Sequence, residues 1–221
     1  MKNEWVLITG SSRGLGKHLA LEFAKAKYNI VLHGRKKSDE FYKTLEEINK
    51  CGVENKTIFA DFSNKQDLSK FEEYINTLKL KIFINNVALH NDNDVSKQIE
   101  VSLTTPIILT YSISKTMVKN GGGIIININS MAGKVTKYEE AVYCASKFGL
   151  RGFSDSIKFE LIKHNVKVMD LYPGAINTGM SSNRENRENL IDPDEFSKFV
   201  VSLVKTKSFV AHDIDFTRTK F

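Results

Sequence analysis

The stretch Trp5–Gly16 reads WVLITGSSRGLG, a short apolar run followed by three closely spaced glycines. We predict a buried β-strand over Trp5–Thr9. The positions that follow have the spacing of one buried helix face: Leu15, Leu19, Phe23 and Ala26. Glycines permit a tight turn and a close approach of the backbone to a ligand, and the N-terminus of a helix attracts phosphate. The pattern therefore favours a dinucleotide-binding turn over a plain strand-to-helix connection.

The rest of the chain alternates short apolar runs with segments of helical period. Further strands are predicted at Ile30–His33, Thr57–Ala60, Lys81–Asn85, Gly123–Asn129 and Val166–Tyr172. This alternation is typical of βαβ units, in which helices cover both faces of a parallel sheet. Because no repeat or Pro/Gly-rich linker interrupts the pattern, we expect a doubly wound α/β fold with a single domain over residues 1–221.

The composition is that of an ordinary globular chain, with 221 residues, 41% of them hydrophobic and 26% charged. The net charge of +6 comes from interspersed signs, and the densest basic cluster, Arg35–Lys37, is too short for a nucleic-acid-binding arm. Cys51 and Cys144 lie far apart without metal-ligand spacing, so neither a disulfide nor a metal site is predicted. No apolar stretch approaches the roughly 20 residues of a membrane span. We therefore expect a cytoplasmic protein without nucleic-acid or membrane partners.

Tyr143 and Lys147 are four residues apart in a predicted helix over Glu139–His164, so their side chains share one face and can enter the same cleft. Lowering the pKa of a phenol from about 10 to about 7 takes roughly 4 kcal/mol. A lysine charge at about 4.5 Å supplies about 3.7 kcal/mol at an effective dielectric constant near 20. The pair is a candidate acid/base; the alternative is a tyrosine that packs with its hydroxyl at the surface. Ser130, at the end of the predicted fifth strand, would hydrogen-bond a substrate oxygen.

The combination of Thr9-Gly-x-x-x-Gly-x-Gly16, Tyr143-x-x-x-Lys147 and a serine thirteen positions before the tyrosine resembles the short-chain dehydrogenase/reductase family. Asn85-Asn-Val-Ala88 is similar to the Asn-Asn-Ala-Gly of that family, and Pro173-Gly174-x-x-x-Thr178 to its Pro-Gly segment. The N-terminal third is most similar to the 3-oxoacyl-carrier-protein reductase branch. The resemblance implies a Rossmann-type fold, hydride transfer between a nicotinamide cofactor and a carbonyl or secondary alcohol, and a homodimer or homotetramer.

The resemblance also assigns roles to individual residues. Tyr143 would be the acid/base, Lys147 would lower its pKa and bind the nicotinamide ribose, and Ser130 would polarise the substrate oxygen. The cofactor would contact the glycine turn and the ends of the later strands, through Gly10, Ser12, Arg13, Gly14, Leu15, Gly16, Asn85, Pro173, Gly174 and Thr178. Asp61 would contact the adenine, with a helix cap for the segment starting near Asn64 as an equally weighted alternative.

The preference between NADP and NAD is predicted from the second strand. Dinucleotide folds that prefer NAD place an acid on the adenosine ribose about 20 residues past the glycine turn. Here that region reads HGRKK over residues 33–37, and Arg13 and Arg35 could hold a 2′-phosphate. We therefore expect NADP, the alternative being two solvated arginines.

Three features depart from the family pattern. Ser102 stands where the family has an asparagine that helps hold a proton-relay water, so Ser102 is a candidate catalytic residue in an altered relay. The interval between Asn85 and Ser102 is short, and Ala88 replaces a glycine beside the cofactor.

The polar stretch at residues 177–189 follows the sixth strand, and we hypothesise that its Arg184 and Arg187 meet an anionic handle on a carrier-bound substrate. The alternative is a solvated loop. The rival function is a catalytically weak, cofactor-binding sensor or scaffold on the same fold.

Overall fold

One parallel sheet organises the computed structural model, which describes residues 4–90, 93–182 and 186–219. Its strands are β1 Trp5–Ile8, β2 Asn29–Gly34, β3 Asn55–Phe59, β4 Leu80–Asn85, β5 Gly123–Ile128, β6 Val166–Pro173 and β7 Asp213–Phe216. Their spatial order is β3-β2-β1-β4-β5-β6-β7, and every neighbouring pair is parallel. The order reverses between β1 and β4, where open α/β sheets form a crevice beyond the carboxyl ends of the strands.

Helices cover both faces of this sheet. They are α1 Gly14–Lys25, α2 Asp39–Lys50, α3 Lys65–Ile75, α4 Val95–Ile99, α5 Thr105–Lys119, α6 Ala141–Ile162 and α7 Pro193–Leu203. A π-helical turn, Glu100–Thr104, joins α4 to α5. Among the residues that the structure describes, no helix has both the length and the apolar character needed to cross a bilayer.

The core consists of two apolar layers, one on each face of the sheet. Successive side chains of a strand point to opposite faces, and β1 illustrates this alternation. Val6 and Ile8 pack in the layer that contains the buried faces of α1 and α7, whereas Leu7 packs in the layer that contains those of α3, α5 and α6. Burial on both faces explains why most strands read as nearly continuous apolar runs.

The predicted fold class is confirmed, and the six predicted strands agree with the observed ones to within two residues at each end. The strand β7 is an addition that the sequence analysis did not predict. Its four residues alternate exposed aspartates with half-buried apolar side chains, as an edge strand does, so it lacks the apolar run that marks the others. The interpretation of residues 1–221 as one domain stays a prediction.

Candidate active site

A cavity of about 630 Å³ lies across the carboxyl ends of the strands. Most of the predicted site residues line it together: Gly10, Ser12, Arg13, Gly14, Leu15, Gly16, Arg35, Asp61, Ser130, Tyr143, Lys147, Pro173, Gly174 and Thr178. The volume is within the usual range for a cofactor or ligand site. Asn85 and Ser102 do not belong to this lining.

The glycine turn has the geometry that a pyrophosphate requires. Gly10 and Gly14 have φ of +66° and +56°, a backbone region that disfavours other residues. A Cβ on Gly16 would lie 2.3 Å from the carbonyl oxygen of Gly10. Arg13 is the N-cap residue of α1, and its side chain makes no capping hydrogen bond. The Arg13 side chain therefore leaves the first backbone amide groups of α1 available to a ligand. The turn therefore fits the phosphates of a dinucleotide.

His33 is a site residue that the sequence analysis missed. It is only 2% exposed, and its ring lines the cavity. The backbone amide of Gly10 donates to Nδ1 at 2.9 Å, and Nε2 donates to the carbonyl oxygen of Ala60 at 3.0 Å. The ring also stacks on Phe62, with centroids 4.5 Å apart. Burial lowers the pKa of His33 to about 4, so a neutral imidazole links the ends of β1, β2 and β3.

Arg13 and Arg35 are exposed and line the cavity, and the charge of Arg35 acts on Asp61. Asp61 accepts hydrogen bonds from the backbone and the hydroxyl of Ser63, at 3.0 and 2.7 Å. The N-cap of α3 is Asn64, which accepts from the first turn of that helix. Asp61 is therefore not the cap of α3, and its carboxyl lies in the wall of the cavity.

The prediction that Asn85 lines the cofactor groove is wrong. Its side chain is 4% exposed and donates to Thr110 Oγ1 at 3.1 Å and to Asn127 Oδ1 at 2.8 Å. The next residue, Asn86, lines the cavity instead and donates to the carbonyl oxygen of Thr9 at 2.8 Å. Because successive side chains along a strand point in opposite directions, one residue of difference at the end of β4 exchanges the interior for the groove.

Ser130 and Tyr143 converge on the cavity from β5 and α6. Ser130 lies two residues beyond the end of β5, and its Oγ accepts from the backbone amide of Ala132 at 3.1 Å. Tyr143 lies in the first turn of α6, and both residues are 8% exposed. Lys147, one turn further along α6, places its Nζ 5.7 Å from the centroid of the Tyr143 ring and donates to the carbonyl oxygen of Ile128 at 3.0 Å. The predicted triad is therefore assembled in one place.

The pKa of Tyr143 is shifted in the direction opposite to the one that the sequence analysis predicted. Burial raises the pKa of Tyr143 to about 12, against which a hydrogen bond with Ser130 acts. Burial also lowers the pKa of Lys147 to about 8, although the charge of Asp170 opposes this shift. The expected lowering of the Tyr143 pKa toward 7 by Lys147 is thus not found in the protein alone. Desolvation of the phenol is the largest effect on its pKa, and Lys147 Nζ donates its hydrogen bond to the main chain at Ile128.

Ser102 lies in the π-helical turn Glu100–Thr104 and is fully buried. Its Oγ accepts from the backbone amide of Leu89 at 2.9 Å and donates to the carbonyl oxygen of Leu89 at 3.3 Å. A hydroxyl has one proton and two lone pairs, so one lone pair remains for a water. The observed role of Ser102 is to fix the segment after β4, and a part in a proton relay stays a prediction.

A buried polar cluster lies beneath the triad. In this cluster, Asn85 donates a hydrogen bond to Asn127, and Asn127 Nδ2 donates to Ser154 Oγ at 2.8 Å. Asp170 completes it and is 1% exposed. Burial raises the pKa of Asp170 to about 7, although hydrogen bonds with Ser154 and Asn127 lower it. The cluster brings a carboxyl group with a shifted pKa close enough to act on Lys147.

The segment after β6 closes one side of the cavity with Ile176, Thr178 and the short 3₁₀ turn Gly179–Ser181. The hypothesis about its two arginines is not supported for Arg187. Its guanidinium donates to Asn177 Oδ1 through Nε at 3.1 Å and Nη2 at 2.7 Å, within the loop itself. Arg184 lies outside the described residues.

Sequence comparisons match the chain to a family and to named relatives. The pattern of the family described as short chain dehydrogenase matches residues 4–189. The 3-oxoacyl-[acyl-carrier-protein] reductase of Aquifex aeolicus is 32% identical over 188 residues, which cover 80% of this chain and 75% of that protein. The very-long-chain 3-oxoacyl-CoA reductase of Aspergillus oryzae is 29% identical over 216 residues, covering 92% of this chain and 62% of that protein. The chain thus spans about three fifths of the length of the fungal relatives.

Solved structures share the fold over nearly the whole chain. A metagenomic short-chain oxidoreductase in complex with NADP gives a TM-score of 0.84 at 24% identity, covering 98% of this chain and 99% of that one. A 7α-hydroxysteroid dehydrogenase in complex with NADH gives 0.86 at 24% identity, covering 98% and 93%. At these identities the likeness shows the fold.

Proposed function

The chain belongs to the short-chain dehydrogenase family, and from this premise we propose that it is an NADP-dependent reductase of a carbonyl compound, acting through Tyr143, Ser130 and Lys147. The observation that carries the proposal is their convergence in the cavity that also contains the glycine turn. Several converging groups with shifted pKa values outweigh any one motif as a sign of catalysis.

Reduction of a carbonyl needs a hydride at carbon and a proton at oxygen. The nicotinamide ring of a bound, reduced cofactor supplies the hydride. The raised pKa of Tyr143, about 12, keeps its hydroxyl protonated at neutral pH, ready to donate to the substrate oxygen. Ser130 stabilises the charge that develops on that oxygen. Lys147, with a pKa lowered to about 8 by burial, remains mostly charged at pH 7 and favours the phenolate that donation leaves behind.

The preference for NADP is supported by the charges at the rim of the cavity. Arg13 and Arg35 lie beside the glycine turn and the end of β2, where a 2′-phosphate would extend from the adenosine ribose. A guanidinium binds a phosphate through two parallel hydrogen bonds. Asp61 lies nearby and would contact the adenosine, so the three residues together would bind the adenosine end.

The proposed substrate class is a carbonyl compound, small or bound to a carrier, of the 3-oxoacyl type. Relatives named as 3-oxoacyl reductases support this class. Because the Arg187 guanidinium is hydrogen-bonded to Asn177, we attribute no anion-binding role to Arg187.

A homodimer or homotetramer is also proposed, as the resemblance implies. An assembly of this kind is supported by large apolar side chains that are exposed on α5 and α6: Tyr111, Phe148, Phe159 and Ile162. The expected cytoplasmic location stays a prediction.

The test is a panel of carbonyl compounds, including carrier-bound 3-oxoacyl thioesters, followed by the loss of NADPH absorbance. We expect turnover with NADPH at a higher kcat/KM than with NADH. The double variant Arg13→Ala/Arg35→Ala should lose that preference while keeping its activity with NADH. A wild-type preference for NADH, or equal use of both cofactors, would remove the NADP assignment.

The second candidate, a cofactor-binding sensor or scaffold, is favoured by the bonding of Ser102 and Lys147 to the main chain at Leu89 and Ile128. The same panel separates the two functions. Tight NADPH binding without turnover of any member would favour the sensor, and turnover of any member would exclude it.

A further inference from the structure

His90 is a cavity residue that the proposed chemistry does not yet use. It follows β4, and its ring meets the Tyr143 ring edge to face, with centroids 4.8 Å apart and planes at 83°. Its Nε2 lies 3.3 Å from Oε1 of Glu140. His90 therefore contacts both the proposed acid and a carboxylate close to it.

Glu140 is the N-cap residue of α6, and its side chain is only 12% exposed. Lys137 Nζ lies 3.7 Å from its Oε2, and Lys137 lines the cavity as His90 does. A carboxylate removed from water is costly unless a partner offsets its charge. Within the described residues, His90 and Lys137 are basic partners of Glu140, and the ring of His90 also contacts that of Tyr143.

The groups around Tyr143 act on its ionisation in opposite directions. Burial is the largest effect and raises the pKa of Tyr143, while the hydrogen bond with Ser130 lowers it. The Glu140 carboxylate and the Cys144 thiol raise the pKa further. The charge on Glu140 therefore opposes the phenolate that proton donation leaves on Tyr143.

We infer that His90 is a positioning residue for Tyr143: its ring supports the Tyr143 ring edge to face, and the N–H dipole at its Nε2 offsets part of the negative charge of Glu140 beside the phenol. The inference rests on the proposed function, in which Tyr143 donates the proton. Loss of the imidazole would leave the Glu140 charge less compensated, and the phenolate would form less readily. Loss of the carboxylate would have the opposite effect.

The test measures the ionisation of Tyr143 directly, as the ultraviolet absorbance of its phenolate against pH at saturating NADP⁺. Each protein is compared with the same protein carrying Tyr143→Phe, so that the difference reports Tyr143 alone. His90→Phe keeps an aromatic ring against Tyr143 and removes the contact with the carboxylate. Glu140→Gln removes the charge and keeps the shape. His164→Phe, the same substitution at an exposed histidine just beyond α6, is the matched control.

We expect the midpoint of the titration to rise in His90→Phe by at least about half a pH unit, a threefold change in the ratio of phenolate to phenol. It should fall in Glu140→Gln and stay unchanged in His164→Phe. In the double variant His90→Phe/Glu140→Gln the midpoint should equal that of Glu140→Gln, because no carboxylate remains to be offset.

A His90→Phe midpoint equal to that of the wild type would overturn the inference. So would a rise that persists when Glu140→Gln is also present. If His90→Phe does not fold, Glu140→Gln alone decides, since a midpoint that fails to fall overturns the inference. The proposed function is tested separately by the panel of carbonyl compounds: no turnover of any member removes the function together with the inference, whereas turnover with a Tyr143 midpoint that ignores His90 removes only the inference.

Discussion

The two ends of the cavity use buried titratable groups in opposite ways. At the glycine turn, His33 is neutral and both its ring nitrogens are hydrogen-bonded to the main chain of neighbouring strand ends. At the other end, Tyr143, Lys147 and Asp170 are buried with pKa values shifted to about 12, 8 and 7. At the first end, hydrogen bonds fix the backbone around a neutral side chain. At the second end, burial shifts the pKa values of the side chains, so their protonation responds to a ligand or to pH.

This difference has a physical origin. A pyrophosphate is recognised by backbone amide groups, which need a fixed backbone and no change of protonation. Proton transfer to a substrate needs groups whose charge changes during the reaction, and these are most sensitive where water is excluded. Substitutions at the glycine end should therefore act on affinity and stability, and substitutions at the triad end on turnover and on pH dependence.

The largest expected effect is at the triad end. Tyr143→Phe removes the proposed proton donor and leaves the glycine turn untouched, so kcat should fall about a thousandfold. The dissociation constant for NADPH should change less than about threefold. Stopped-flow turnover and a fluorescence titration with NADPH measure the two quantities.

The control for this substitution is Tyr138→Phe. Tyr138 is 90% exposed and lies just before α6, five residues from Tyr143. It should behave as the wild type. If Tyr143→Phe kept most of its activity, the assignment of the acid would be wrong.

The second effect is at the glycine end. His33→Ala leaves the Gly10 amide and the Ala60 carbonyl without their partner, and a buried polar group without a partner costs about 1 to 3 kcal/mol. We expect the free energy of unfolding to fall by about 3 kcal/mol and the dissociation constant for NADPH to rise about tenfold, as measured by urea unfolding and fluorescence titration.

His18→Ala is the matched histidine control, because His18 lies on α1 in an exposed contact with Asp194. Such a surface pair contributes less than about 1 kcal/mol. Equal effects of the two substitutions on NADPH binding would contradict the role given to His33.

The third effect concerns pH dependence at the triad end. The pKa of Asp170 is raised from 3.8 to about 7 by burial. Between these values the unfolded chain has lost the proton that the folded protein keeps, so stability falls as pH rises, by up to about 1.4 kcal/mol per pH unit. Asp170→Asn cannot ionise and should remove this decline. Its gain in stability over the wild type should be about 2 to 3 kcal/mol larger at pH 8 than at pH 5, measured by urea unfolding at both pH values.

Asp39→Asn, at an exposed carboxylate in the first turn of α2, should leave the pH dependence as it is in the wild type. A stability difference between Asp170→Asn and the wild type that is the same at both pH values would show that Asp170 is ionised throughout.

The smallest effect is at Ser102, between the two ends. Ser102→Ala removes the hydroxyl that would bind a relay water, and the loss of that one hydrogen bond, about 1 to 1.5 kcal/mol, should slow turnover by about tenfold or less. Ser102→Asn should keep the rate or raise it if a water connects this position to Lys147. Steady-state kinetics on both variants is the measurement, and unchanged rates in both would exclude Ser102 from the relay.

Much of the site could be predicted because its signals are local. The glycine turn is read from residues 9–16, and the shared face of Tyr143 and Lys147 follows from helix geometry. Ser130 needed a longer inference, since it comes from another strand. The parallel sheet brings the carboxyl end of β5 beside the start of α6, and the apolar patterns place both elements, but only the family resemblance carried by its spacing from Tyr143 singled out Ser130.

The sequence by itself determined the order of six strands and the helices between them, the glycine turn and the shared helix face of Tyr143 and Lys147, because hydrophobic period and residue spacing act over a few positions. Only the tertiary structure decided that Asn86 rather than Asn85 faces the groove, and that His33 joins three strand ends. It also decided that Tyr143 is buried enough to keep its proton and that His90 reaches both Tyr143 and Glu140. These properties depend on which groups surround a side chain and how much water is excluded, and segments far apart in the chain supply those surroundings.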